Sequence, residues 1–267
     1  MPRRRGFPPV LKRYGQHFLN DRDALTAIAD AVRLGKNDVV VEIGPGRGAL
    51  TALLLERAGR VIAVEIDREL VALLQKAYEG DPRLTVIEGD VLSLNYADIV
   101  ASPFSVVGNV PYYITTPILF GLLQPPLPVC AVLLVQEEVA ERIVASPDSR
   151  EYGALSVNVQ TVAHAEIVRS VPASAFTPPP KVESSVIRIT PLEEPLVPLG
   201  ELGEFRTFVQ AAFGMRRKQL ANILRSVRRL SLDEAAALLE GQGIDPRARP
   251  ETLSPAQFVS LMRAARS

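Results

Sequence analysis

Along the first 190 or so residues, short apolar runs rich in Val and Ile alternate with stretches in which apolar residues recur every three to four positions. Residues 39–43, 61–65, 84–88, 104–108 and 129–136 show the first pattern, are bounded by Gly, Asp or Pro, and read as buried strands. Residues 50–58, 68–78 and 115–123 lie between them and carry helical spacing. Strand and helix in alternation predict a mostly parallel sheet with helices on both faces. Two later runs, 157–163 and 182–189, flank the proline-rich loop 172–180 and are expected to form an antiparallel edge of that sheet. The segment 190–200, TPLEEPLVPLG, holds three prolines and little periodicity, so a domain boundary is expected there, dividing the chain into 1–194 and 195–267. Beyond it, 205–213, 217–228, 232–242 and 255–265 read as helices, with Ser231 and Ser254 as N-caps. The expected architecture is an α/β domain followed by a small all-α C-terminal domain.

Composition is compatible with this picture and removes several function classes. With 267 residues, 47% of them apolar and 22% charged, the chain has enough apolar material for a substantial core and lacks the signature of disorder. The single cysteine, Cys130, excludes an intrachain disulfide. Together with His17 and His164 it does not make a four-ligand zinc site, so a metal-free, cytoplasmic protein is expected. The longest apolar runs, such as 129–135, fall far short of the roughly 20 residues needed to span a bilayer, and no signal-peptide core opens the chain. Neither export nor membrane anchoring is expected.

Charge changes the picture only when it is mapped. Thirty bases balance thirty acids, which taken alone argues against a polyanion partner. Yet residues 1–17 carry Arg3, Arg4, Arg5, Lys12 and Arg13 with no acid, and residues 205–230 carry Arg206, Arg216, Arg217, Lys218, Arg225, Arg228 and Arg229 with no acid. Residues 40–100 hold ten acids against six bases. A mildly acidic body is flanked by two basic segments, read either as solvated surface or as phosphate contacts.

The candidate chemistry sits at the strand ends. After the first strand, Glu42-Ile43-Gly44-Pro45-Gly46-Arg47-Gly48-Ala49 opens a helix. Glycines there let the backbone turn sharply and let a ligand approach the peptide groups, as Rossmann-like sites require. Glu65 ends the next strand 21 residues after Gly44, where a carboxylate can accept hydrogen bonds from both hydroxyls of a ribose. These two features fit a nicotinamide dinucleotide and S-adenosylmethionine equally. Asp90, just past the third strand, is placed to accept an adenine amino group, with Val91 lining the ring. A nucleoside-bearing cofactor is therefore expected.

The fourth strand runs into Gly108-Asn109-Val110-Pro111-Tyr112-Tyr113, which has the form of the Asn-x-Pro-Tyr signature of methyltransferases acting on a conjugated amino nitrogen. An exocyclic adenine nitrogen is a poor nucleophile because its lone pair is delocalised into the ring. Two acceptors for its N–H groups, the Asn109 carboxamide oxygen and the Val110 carbonyl, would aim the lone pair and stabilise the positive charge that develops. Pro111 rigidifies the turn, and Tyr112 offers a face for a base drawn from its stack. Asn109, Val110, Pro111 and Tyr112 are the candidate catalytic residues.

With these residues assembled, the chain resembles the rRNA adenine N6,N6-dimethyltransferase family, the small-subunit enzymes linked to kasugamycin sensitivity. Further matches are Lys12-Arg13-Tyr14-Gly15-Gln16-His17-Phe18-Leu19, Tyr152-Gly153-Ala154-Leu155-Ser156-Val157, Phe176-Thr177-Pro178-Pro179-Pro180-Lys181-Val182-Glu183-Ser184, and the tail with Arg216-Arg217-Lys218. The resemblance implies a Rossmann-like S-adenosylmethionine-dependent sheet. His17, Leu19, Gly44, Gly46, Glu65, Asp90, Val91 and Asn109 would contact the cofactor. Many members carry Asn where this chain has His17. Tyr112 and Phe176 would stack on the target base, and Arg216, Arg217 and Lys218 would meet RNA. It further implies N6,N6-dimethylation of two adjacent adenines near the 3′ end of 16S rRNA in the immature small subunit. No heptad or apolar surface stripe in the sequence calls for a dimer, so a monomer is expected. Three other readings stand beside it: a non-catalytic ribosome-assembly factor, an adenine methyltransferase for large-subunit rRNA, and a nicotinamide oxidoreductase resting on the glycine run and Glu65 alone.

Overall fold

The structure, a computed structural model, describes residues 16–101, 103–228 and 230–265. The basic residues Arg3, Arg4, Arg5, Lys12, Arg13 and Arg229 lie outside the described residues, as do Tyr14 and Gly15. In chain order the elements are β1 (Phe18–Leu19), α1 (Arg22–Ala31), β2 (Val39–Ile43), α2 (Ala49–Arg57), β3 (Arg60–Glu65), α3 (Arg68–Ala77), β4 (Leu84–Glu88), β5 (Phe104–Asn109), α4 (Thr115–Leu122), β6 (Ala131–Gln136) and α5 (Glu137–Val144). They continue with α6 (Ala154–Gln160), β7 (Ala163–Val171), β8 (Phe176–Thr177), β9 (Ser184–Pro191), α7 (Leu202–Gly214), α8 (Leu220–Arg228), α9 (Leu232–Gly241) and α10 (Pro255–Ala264). The chain divides into two compact units. One takes in the chain through Ala140 together with Glu166–Thr190, the other Glu141–Ala165 together with the chain from Pro191.

In the first unit a seven-stranded sheet runs in the order β4-β3-β2-β5-β6-β9-β7. The β2–β3, β2–β5, β3–β4 and β5–β6 pairs are parallel, and β9 joins β6 antiparallel with Gln136 opposite Ser184. The α/β architecture expected from the alternation is the one observed. Val40, Val41, Val61, Ile62, Val106, Val107 and residues 131–135 are buried because parallel strands covered on both faces leave no side for water. Each such Val, Ile or Leu contributes about 1.5–3 kcal/mol of burial free energy. The helix α1, which the apolar spacing does not single out, lays Leu25, Ile28 and Ala29 into the cluster formed with Val40, Leu54, Val107, Val132 and Val186. Asp21 caps it by accepting from the Ala24 N–H at 2.7 Å.

Going along the chain, β3 and β4 add to one side of β2 while β5 and β6 add to the other. The order thus reverses at β2 and β5, and in open α/β sheets a crevice opens outside the carboxyl ends at such a point. Register brings those ends level: Ile43 pairs with Val64 and Gly108, and Glu65 with Glu88.

The second unit is largely helical. The expected helices 205–213, 217–228, 232–242 and 255–265 appear as α7 to α10 with ends shifted by a few residues at most. Ser231 and Ser254 are N-caps, each in a reciprocal capping box, with Glu234 and Gln257 respectively. One expectation fails: residues 157–163 do not form a strand. The chain there is α6, with Leu155, Ser156, Val157, Asn158 and Val159 all buried, followed by β7 from Ala163. A short helix buried all round has no polar face, so its β-branched residues mimic a buried strand. Tyr152 is fully buried, and its hydroxyl donates to the Leu253 carbonyl at 2.8 Å.

Candidate functional site

The carboxyl ends of β2, β3, β4 and β5, with residues 16–18, enclose a cavity of about 210 Å³. Its walls include His17, Gly44, Gly46, Glu65, Asp90, Val91, Asn109, Val110, Pro111 and Tyr112. The expected cofactor and catalytic positions therefore converge, with Leu19 the exception. Leu19 is buried in the core and lines a smaller cavity of about 50 Å³ on the glycine loop, shared with Glu42, Gly44, Gly46 and Asn109.

The glycine loop has the conformation its residues predict. Gly44, Gly46 and Gly48 take φ of +66°, +58° and +83°, the left-handed region open to glycine without penalty. Space also enforces glycine: a Cβ on Gly46 would meet the Phe18 ring at 3.1 Å, and one on Gly48 would meet Leu74 Cδ2 at 2.8 Å. Arg47 lies over the Phe18 ring, 4.2 Å from its centroid.

Glu65, at the end of β3, is buried and uses both carboxylate oxygens. Oε2 accepts from the Gly46 N–H at 3.1 Å and Oε1 from the Asp67 N–H at 2.9 Å. Burial pushes its carboxyl above the ordinary value, although those N–H donors oppose the shift. Asp67 caps α3 and accepts from the Gln16 amide at 2.9 Å, which ties residue 16 to the acid side of the cavity. Asp90 is exposed and accepts from the Leu92 N–H at 3.0 Å, fixing the short turn that carries Val91. Ile66 and Leu92, 43% and 46% exposed, give this side of the cavity apolar surface open to solvent.

At the other end, Asn109 closes β5. Its Nδ2 donates to the His17 carbonyl at 2.9 Å. A carbonyl only accepts, so the amide is oriented with its nitrogen toward residue 17 and Oδ1 remains the acceptor. Pro111 begins the 3-10 turn Tyr112–Ile114, and its carbonyl accepts from the Ile114 N–H at 3.1 Å. Tyr112 is half-buried, with its hydroxyl 2.7 Å from Ser184 Oγ; burial pushes its ionisation up. The His17 ring stacks on Tyr112 with centroids 6.1 Å apart and planes 18° from parallel. Its Nδ1 lies 2.8 Å from the Pro178 carbonyl, so Nδ1 carries the proton.

Two expected substrate features lie elsewhere. Phe176 is 3% exposed, pairs across β8 with Leu19, and packs in the core cluster rather than lining the cavity. Arg216, Arg217 and Lys218 are exposed in the turn between α7 and α8 of the second unit, where Arg216 donates to the Arg150 carbonyl at 3.2 Å. Sequence reasoning does not assign roles to Glu42, Gln16, Asp67 and Ser184. Of these, Asp67 had a signal: an acid between a strand and a helix is an N-cap signature. Among the described residues no group of three His, Cys, Asp or Glu is gathered for a metal, and no helix is long and apolar enough to cross a membrane.

Comparison with known proteins agrees with this arrangement. The family model for ribosomal RNA adenine dimethylase matches residues 10–266. Ribosomal RNA small subunit methyltransferase A of Myxococcus xanthus is 42% identical, covering 94% of this chain and 89% of the relative; that of Geobacter sulfurreducens is 43% identical over 94% of each. Among solved structures, a dimethyladenosine transferase from Plasmodium falciparum matches with a TM-score of 0.80 at 29% identity, over 92% of this chain and 96% of its own. The 23S rRNA methyltransferase ErmE matches with a TM-score of 0.73 at 29% identity, over 94% of this chain and all of its own.

Proposed function

The chain belongs to the ribosomal RNA adenine dimethylase family, and on that footing we propose that it moves methyl groups from S-adenosylmethionine to the N6 atoms of two adjacent adenines near the 3′ end of 16S rRNA, in the immature small subunit. The observation that carries the reading is the orientation of Asn109, whose nitrogen is bound to the His17 carbonyl and whose oxygen is left to accept, in a cavity shared with Glu65 and Asp90.

The cavity's donor set fits the cofactor. The loop at Gly44 and Gly46 keeps backbone clear of side chains where a Cβ would crowd Phe18, and it would hold the amino-acid end. Glu65 keeps lone pairs for ribose hydroxyls beyond those given to Gly46 and Asp67. Asp90 would take the adenine amino group, with Val91 and Ile66 against the ring and His17 bordering the same space. When bound, S-adenosylmethionine supplies a methyl group made electrophilic by its sulfonium.

Asn109 Oδ1 and the Val110 carbonyl accept from the two N6 hydrogens. These contacts draw the nitrogen toward tetrahedral geometry and place negative dipoles where positive charge grows. Tyr112 bears the base on its ring, and Pro111 holds the turn between them. No side chain is required as a base, because the nitrogen becomes acidic once alkylated and releases its proton to water. In the second methylation one N–H remains, and a single acceptor must suffice. Phosphates of the RNA would meet Arg216, Arg217 and Lys218. On this reading the protein works in the cytoplasm, in keeping with its single cysteine.

Asn109→Ala tests this reading by methyl transfer from labelled S-adenosylmethionine to unmodified small subunits. Loss of one preorganised partner of the developing charge is expected to lower kcat by about 10²–10³. Undiminished transfer refutes the role of Asn109, and wild-type transfer to large subunits offered in parallel, with none to small subunits, refutes the choice of RNA.

A further inference from the structure

Tyr112 and Tyr113 are neighbours with opposite fates. Tyr113 is 64% exposed, whereas the Tyr112 ring is folded back and held at two points. One point is the Ser184 hydroxyl, 2.7 Å from the phenolic oxygen. Ser184 is fully buried at the start of β9, and its main-chain position is set by pairing with Gln136 in the sheet. The anchor is therefore a rigid element, although it lies in a loop-to-strand junction 72 residues away from the tyrosine. The other point is the His17 ring, stacked on Tyr112 and itself tethered to the Pro178 carbonyl. A hydroxyl clamp at one end and a ring on one face fix the orientation of the phenol.

We propose that Ser184 is a positioning residue that, with His17, holds Tyr112 in the plane that receives the target base, and so governs the rate of methyl transfer while leaving cofactor affinity alone. The proposal rests on the reading that Tyr112 bears the adenine. The physical demand is orientation: a nucleophile attacks well only when it is held near the reacting geometry, and the supporting side chains must keep it within about half an ångström and 10–20°. An unclamped Tyr112 turns about its side-chain torsions, and the base lying on it turns with it. Neither Ser184 nor its hydrogen bond touches the Glu65 and Asp90 side of the cavity, which is why cofactor binding is separable.

The test compares wild type, Ser184→Ala, Tyr112→Phe, their combination, and Ser184→Thr in methyl transfer to unmodified small subunits, with S-adenosylmethionine titrations and thermal melting of each. Removing the hydrogen bond from either side is expected to lower kcat roughly tenfold, the size of one such bond. The double variant should be no slower than the slower single, because both substitutions remove one shared interaction. The dissociation constant for S-adenosylmethionine should stay within about twofold of wild type, and Ser184→Thr, which keeps a hydroxyl, should recover most of the rate. A wild-type kcat in Ser184→Ala, or effects that multiply in the double variant, overturns the proposal. If Ser184→Ala melts early, Tyr112→Phe cuts the same bond from the half-buried side, and a wild-type kcat there overturns it equally. Inactive Asn109→Ala beside fully active Ser184→Ala refutes the clamp alone, whereas full activity in both refutes the reading of the site.

Discussion

Glu42 is 1% exposed beneath the glycine loop, and among the described residues its carboxyl accepts from the Thr51 hydroxyl at 2.7 Å. Loss of hydration outweighs that bond, and with Glu65 nearby it pushes the carboxyl from the ordinary 4.5 up to about 8. Between those two values the folded chain holds a proton that the unfolded chain has released. Stability therefore declines as pH rises through that window and levels off above it. Glu65, also shifted upward by burial, acts in the same direction. Glu42→Gln is expected to flatten the stability profile between about pH 5 and 8 and to gain on wild type most at pH 8. Urea denaturation at pH 5, 6.5 and 8 measures this; a gap between the two proteins that does not change with pH sinks the account. At this scale Gly44, Gly46, Glu65, Asp90, Val91, Asn109 and Tyr112 were legible in the sequence, because chemistry-bearing residue types stand just where strands end. Gln16 and Ser184 were not. Their meaning comes from partners 51 and 72 positions away, and no local spacing encodes such a pairing.

Elements were legible where turn-forming or capping residues mark their ends. The five parallel strands and the helices α2, α3 and α7 to α10 have marked boundaries, and those boundaries match within a few residues. The residues of α6 read as a strand because nearly all of them are buried, while the spacing of α1 and α5 is masked by stronger apolar runs beside them. Caps were readable because they depend on residues three apart. In α10, Ser254 Oγ accepts from the Gln257 N–H at 3.3 Å and Gln257 Oε1 accepts from the Ser254 N–H at 2.9 Å. Ser254→Ala leaves both Phe258 and Leu261 in place and removes only the cap. It is expected to lower stability by about 1 kcal/mol with no change in cofactor affinity. Chemical denaturation checks the first figure, and a loss below about 0.3 kcal/mol would mean that water replaces the cap fully.

For the whole molecule, the zero net charge says less than where the charges lie along the chain. Glu65 and Asp90, in the acidic stretch, border the cavity, while Arg216, Arg217 and Lys218 stand exposed in a turn of the second unit. If that turn meets phosphates, replacing all three with Ala lowers the slope of log affinity against log salt by about 2 to 3 in small-subunit binding, each lost contact releasing about one counterion fewer. S-adenosylmethionine affinity should not move; an unchanged slope would exclude the turn as a phosphate contact. The sequence by itself determined the α/β alternation, the glycine loop, the acids at the strand ends and the Asn-Val-Pro-Tyr turn, since each is written in neighbouring residues whose period or conformation is a local matter. Only the tertiary structure decided that Glu141–Ala165 packs with the C-terminal helices, that Phe176 belongs to the core, which way the Asn109 amide faces, and what holds Tyr112. Those outcomes depend on which distant surfaces bury each other and which distant polar groups must then pair, and long-range burial leaves no periodic mark in the chain.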